Sequence, residues 1–150
     1  MKRTVAYIVF IFISFNAFAQ EELIGKWIRT DDATENPDAW KNENYDGYII
    51  EITKSDSGII GISIKVPQGA IIHGYSAGQI KWKDFKKLSG SKFEIKGLLM
   101  VQGNSEAYDT PSYIQAFVKI LNNNTIKVWV EDESYNIGGK KQKWIRIPNS

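Results

Sequence analysis

From Gln20 onward the apolar positions recur every second residue, not every third or fourth. Tyr48, Ile50 and Ile52 alternate with Ile49, Glu51 and Thr53, and Ile60, Ile62, Ile64 and Val66 with Gly61, Ser63 and Lys65. Further along, Phe93, Ile95, Gly97 and Leu99 alternate with Lys92, Glu94, Lys96 and Leu98, and Ile126, Val128 and Val130 with Lys127, Trp129 and Glu131. A period of two marks antiparallel strands with one face on a core and the other in water. The pattern predicts eight of them, at about 24–30, 47–54, 58–66, 79–87, 92–100, 112–121, 125–131 and 142–147. No stretch after Gln20 holds an apolar stripe over two helical turns between recognisable caps, so a helix has room only as a short piece within a loop. On this phase Ile50, Ile52, Ile62, Ile64, Trp82, Phe93, Ile95 and Val128 should face inward.

The segments between strands alternate in length. Ser55-Asp56-Ser57, Leu88-Ser89-Gly90-Ser91 and Asn122-Asn123-Asn124 are short and rich in residues that suit tight hairpin turns. Asp31–Asp46, Pro67–Gly78, Val101–Pro111 and Asp132–Lys141 are long. In an up-and-down meander successive connections lie at opposite ends, so the tight turns gather at one end and the long loops at the other. Eight strands laid out this way predict an all-β, eight-stranded antiparallel up-and-down barrel, because closure removes the two exposed edges. The competing arrangement is an open sandwich. An eight-stranded barrel has an interior that side chains fill or that holds one small ligand, and the long-loop rim would be its mouth.

Ahead of the strands, Met1–Ala19 has the layout of an export signal: basic Lys2 and Arg3, an apolar run over Val5–Phe15, and small residues at Ala17 and Ala19 before Gln20. The run falls short of the roughly 20 residues that span a bilayer. Cleavage would leave one domain, residues 20–150, in the periplasm or outside the cell, with no stable membrane anchor; retention of the segment as an anchor is the competing reading. Lys2 and Arg3 account for the formal charge of +2, so the remainder is neutral. That speaks against a nucleic-acid partner, which calls for a basic surplus. Cysteine is absent, which excludes disulfides, thiolate metal sites, cysteine nucleophiles and a lipidated cysteine.

Lys26-Trp27-Ile28-Arg29 recurs near the end as Lys143-Trp144-Ile145-Arg146, as expected if the first and last strands meet to close the barrel. With Gly25-Lys26-Trp27 at the start and a basic residue in the last strand, the chain resembles the calycins, the lipocalins and their relatives. The stretch from Gly78 to Phe93 is likewise similar to small exported lipocalin-like domains of bacteria. The resemblance implies that Arg146, or failing it Lys143, packs across Trp27 at the closed end of the barrel. It also implies that the long first loop, Asp31–Asp46, partly lids the mouth.

Candidate chemistry is sparse. His73 is the one histidine, too few for a histidine-rich metal site. Asp31, Asp32, Glu35 and Asp38, and Glu131-Asp132-Glu133, lack calcium-loop spacing and read as solvated rim charges. A hydroxyl nucleophile would have only His73 as its base, with no elbow motif around it, and Glu131 and Asp132 as neighbours tend to point to opposite faces of a strand. No catalytic residue, metal or cofactor is assigned; a barrel enzyme using His73 or Glu131 is the third-ranked reading. Lys81, Lys83, Lys86 and Lys87 around Trp82 and Phe85 read as an ordinary solvated strand face, and Gly138-Gly139 as a loop hinge.

Aromatic residues are the stronger signal. Trp40, Tyr45, Tyr75, Tyr108, Tyr113 and Tyr135 lie in or beside the long loops, with His73 among them. Rings at a cleft mouth hold flat or apolar ligands while their polar tips stay wet. The leading expectation is an exported barrel that binds a small, largely apolar molecule at its long-loop end. The other is a filled barrel whose rim loops bind an envelope protein or a glycan.

Overall fold

The computed structural model describes residues 20–30, 45–103, 106–130 and 141–149. The predicted signal, the acidic clusters at Asp31–Asp38 and Glu131–Glu133, Trp40, Tyr135 and Gly138-Gly139 lie outside them. Eight strands, β1 (Gly25–Thr30), β2 (Ile49–Ser55), β3 (Gly58–Lys65), β4 (Ile80–Ser89), β5 (Lys92–Gln102), β6 (Tyr108–Asn122), β7 (Thr125–Trp129) and β8 (Lys141–Arg146), close in sequence order into an antiparallel barrel. The open sandwich is thereby excluded. A one-turn helix, α1 (Gln68–Ile71), sits between β3 and β4.

Turn chemistry fixes the closed pole. Ser55 Oγ donates to the Gly58 carbonyl, Gly58 and Gly90 hold positive φ, and Asn122 Oδ1 accepts from the Asn124 amide. These short links join β2 to β3, β4 to β5 and β6 to β7. Antiparallel alternation puts the strand ends that the other four connections join at the opposite rim. One is shorter than its sequence suggests. Met100 pairs with Pro111, Val101 with Thr110 and Gln102 with Tyr108, so β5 and β6 run on as a hairpin beyond the expected loop start. Pro111 is tolerated because β7 ends opposite Phe117, which leaves this part of β6 without a second ladder to disrupt.

The seam between β1 and β8 pairs Trp27 with Arg146 and Arg29 with Trp144. The Arg146 guanidinium lies 4.2 Å from the Trp27 ring centre, and Lys143 is on the outer face beside Thr30. Arg146 donates to the carbonyls of Ile24 (2.7 Å), Asn123 (2.7 Å) and Glu22. Trp27 Nε1 donates to the Leu23 carbonyl at 2.8 Å. Gly25 is needed here: its φ is +135°, and a Cβ would stand 2.7 Å from the guanidinium nitrogen. The Gly-x-Trp spacing thus serves to seat an arginine that ties the chain start, a hairpin turn and the last strand together.

Inside, Trp27, Trp82, Trp144, Phe93, Tyr48, Ile50, Ile52, Ile95, Val118 and Ile126 are fully buried in one cluster, with Val128 beside them. Each such side chain contributes about 1.5–3 kcal/mol of hydrophobic stabilisation. Two inward expectations fail. Ile62 is partly exposed and Ile64 is 43% exposed, while Ile59, Gly61 and Ser63 face the core. The Trp82 side chain decides the phase: it packs on Gly61, where an added Cβ would come within 3.3 Å of it, so an isoleucine at this inward position would collide. Ser63 fits the interior by sharing a 2.6 Å hydrogen bond with the Tyr48 hydroxyl. Burial in β5 also changes phase, with Leu98 and Met100 buried and Leu99 only partly so.

Candidate functional site

The β3–β4 connection folds back over the rim. Pro67 opens α1, its carbonyl accepting from the amides of Ala70 and Ile71. Ala70 is fully buried and Tyr75 nearly so, while Ile71 and Ile72 face solvent. The Tyr75 hydroxyl accepts from the Met100 amide (3.3 Å) and donates to the Leu98 carbonyl (3.4 Å), standing in for a neighbouring strand where β4 has no ladder partner for this part of β5. Gly74, with φ +81°, lets the segment pass against the Tyr108 backbone; a Cβ there would run into the Tyr108 carbonyl oxygen.

This packing gathers four of the seven candidate residues. Tyr45 and His73 have ring centres 6.0 Å apart, Tyr45 and Tyr75 also 6.0 Å, and His73 and Tyr108 4.8 Å, all edge to face. His73 Nδ1 donates to the Gly69 carbonyl at 2.8 Å. The ring series continues inward through Tyr48 and Trp144 to Trp82. Tyr113 stands apart, on the outer wall, where its hydroxyl donates to the Ile80 carbonyl at 2.8 Å and Lys83 lies over its ring. Trp40 and Tyr135 lie outside the described residues.

Two basic residues outside the expected ligand-binding set complete the mouth. Arg29 shares the inward phase of Trp27, pairs with Trp144 across the seam, and lies 5.0 Å from the Tyr45 ring centre. Its position was legible, since strand residues two apart share a face.

Lys81 was not legible. Expected on a solvated face, it instead sits at a β-bulge: Gly61 pairs with Trp82 but Ile62 pairs with Ile80, leaving Lys81 as the extra residue. Bulges re-aim side chains. Its stem is partly exposed, yet its ammonium is buried 3.9 Å from the Tyr75 ring centre and 5.8 Å from that of Tyr48, and it donates to the Leu98 carbonyl at 2.9 Å. Burial, with a smaller contribution from the Arg29 charge, lowers its pKa to about 7. Burial likewise raises the Tyr48 hydroxyl to about 12, against the opposing effect of its hydrogen bond to Ser63.

An ammonium has three N–H donors. Among the described residues that of Lys81 meets one acceptor, a neutral carbonyl, and no carboxylate. A buried cation so placed favours an anion beside it. Together the mouth offers ring edges and faces for an apolar body and two cations for an acidic group. No family model, curated protein or solved structure matches the chain.

Proposed function

We propose that this protein is an exported, lipocalin-like barrel that binds a small molecule at its mouth, the ligand pairing an apolar or aromatic body with an acidic group. The Lys81 ammonium carries the reading: it is buried beside a second cation and supplied with one neutral acceptor among the described residues. The acidic group would accept from Lys81 and be drawn by Arg29, while Tyr45, His73, Tyr75 and Tyr108 contact the body. The upper rim, not the barrel depths, is the place for it, because three tryptophans and Phe93 occupy the interior.

Titration with anilinonaphthalenesulfonate and with the uncharged phenylnaphthylamine tests this. Micromolar affinity, about −8 kcal/mol, is expected for the anionic probe. Lys81→Met should weaken that probe about tenfold, a loss of about 1.4 kcal/mol, with little change for the neutral one. Failure of both probes to bind, or equal affinities in the variant and the parent, overturns the reading.

The large side chains buried inside, three tryptophans and Phe93 among them, support a second reading, in which the rim binds an envelope protein or a glycan and no small ligand enters. A photo-crosslinker at Trp40 or Tyr108 would then capture a macromolecule, and its failure to do so counts against that reading.

A further inference from the structure

The nitrogen of Lys81 has a second chemistry beside its charge. Three elements enclose it: the Tyr75 ring of the β3–β4 connection at 3.9 Å, the Tyr48 ring ahead of β2 at 5.8 Å, and the Leu98 carbonyl of β5 at 2.9 Å. The charge that acts on it from its neighbours is that of Arg29 on β1, a like charge, while the carboxylates of Asp46, Glu106 and Asp109 belong to exposed residues. Lost hydration and a neighbouring cation both favour the neutral amine, and with a pKa of about 7 the two forms coexist at neutral pH. The protonated form suits an acidic ligand. The neutral form carries a lone pair, and a lysine desolvated beside another cation is a nucleophile towards carbonyl carbon.

We propose that Lys81 reversibly captures, as an imine, an aldehyde carried on a flat apolar body. The Nζ lone pair attacks the aldehyde carbon, and a proton passes from nitrogen to oxygen to give a carbinolamine. Its C–O bond then breaks, water leaves and a C=N bond forms; nothing is oxidised or reduced. Once protonated, the imine N–H donates to the Leu98 carbonyl in place of the ammonium N–H now bonded there. The Tyr75 and Tyr48 rings shield the C=N bond from hydrolysis and stabilise its positive charge. The Lys81 stem is partly exposed, so the amine on its flexible four-carbon chain is reached from the rim. Tyr45, His73 and Tyr108 contact the apolar body. Such capture rests on the proposed opening of the mouth to a small apolar molecule, and goes beyond that reading in fixing a second ligand class.

Substoichiometric naphthaldehyde with sodium cyanoborohydride, followed by peptide mass spectrometry of the purified protein, tests it. Lys81 should carry the naphthylmethyl group at least about tenfold more than exposed Lys65, with the chain's α-amine scored separately. The reductant's own pH dependence cancels in that ratio. The ratio should fall as pH rises above about 7, because the Lys81 amine is then free while an ordinary lysine goes on losing its proton. Arg29→Met removes a like charge, and should lower the ratio and move its fall to higher pH. Saturating anilinonaphthalenesulfonate should suppress the labelling, and urea should abolish the selectivity. Equal labelling of Lys81 and Lys65, or selectivity that persists in urea, overturns the proposal. Where the anionic probe binds but Lys81 is not labelled, imine capture alone fails; where neither probe nor aldehyde engages, the reading of the mouth fails with it.

Discussion

The two poles of the barrel put the same pairing, a cation over an aromatic ring, to opposite ends. At the closed pole Arg146 lies 4.2 Å from the Trp27 ring centre, and its side chain donates to three backbone carbonyls, two just before β1 and one in the β6–β7 turn. At the mouth Lys81 lies 3.9 Å from the Tyr75 ring centre and donates to one. Arginine keeps its charge in any protein environment and presents donors in a rigid fork, whereas lysine is a compact charge whose pKa yields to burial. A cation whose donors are met by the backbone holds the structure together. One that is buried with donors to spare is what the proposed ligand would complete.

Removing the closed-pole cation should have the largest effect. Arg146→Ala loses the ring contact and leaves several carbonyls without donors, and should destabilise the barrel by about 3 kcal/mol in urea unfolding. Arg146→Lys should recover less than half of that, since one ammonium cannot reach three separated carbonyls. Full recovery by lysine would erase the contrast between the poles.

A smaller effect is expected at the mouth, and it depends on pH. Below about pH 7 Lys81 is protonated in both folded and unfolded chains, so the cost of burying its charge is fully felt. Between about pH 7 and its ordinary value of 10.5, the unfolded chain holds a proton that the folded chain has released, so stability rises with pH. Tyr48 acts in the other direction: with its folded pKa near 12, the unfolded chain loses the phenolic proton first, and stability falls above pH 10. Lys81→Met should abolish the rising limb, keep the falling one, and be more stable than the parent at pH 6 by about 1 kcal/mol or more. Parallel stability–pH curves for parent and variant would show that the ammonium is not buried as described.

The smallest effect belongs to the outer wall. Lys119 is exposed and stands between Lys92 and Lys127, so Lys119→Glu should raise stability by about 0.2–1 kcal/mol at low salt, a gain that shrinks as salt is added. Loss of stability on this substitution would show that Lys119 is not repelled by its cross-strand neighbours.

Strand periodicity and turn chemistry made most of the architecture legible. Tyr48, Ile50 and Ile52 fix the phase of β2 because the alternating Glu51 and Thr53 cannot be mistaken for core. The matched tetrapeptides at the two ends of the chain meet across the seam, as a closed barrel requires. In β3 the signal is ambiguous, since Ile59, Ile60, Ile62 and Ile64 place isoleucine on both faces. The line of isoleucines lost the interior to Gly61 and Ser63 because a neighbouring strand brought Trp82 against it. At the mouth, ring-bearing residues were recognisable as a group, but their proximity depended on Gly74 and on Tyr75 reaching β5.

Local arithmetic along the chain dictates eight extended segments, where they turn, and the order in which they close. Alternation and turn propensity act over a few residues, so they can be read along the chain. Tertiary structure alone decided which face of β3 is the inside and where the Lys81 ammonium goes. Both depend on volume and register across strands, at Trp82 against Gly61 and at the single extra residue opposite Ile62, which no stretch of chain encodes on its own.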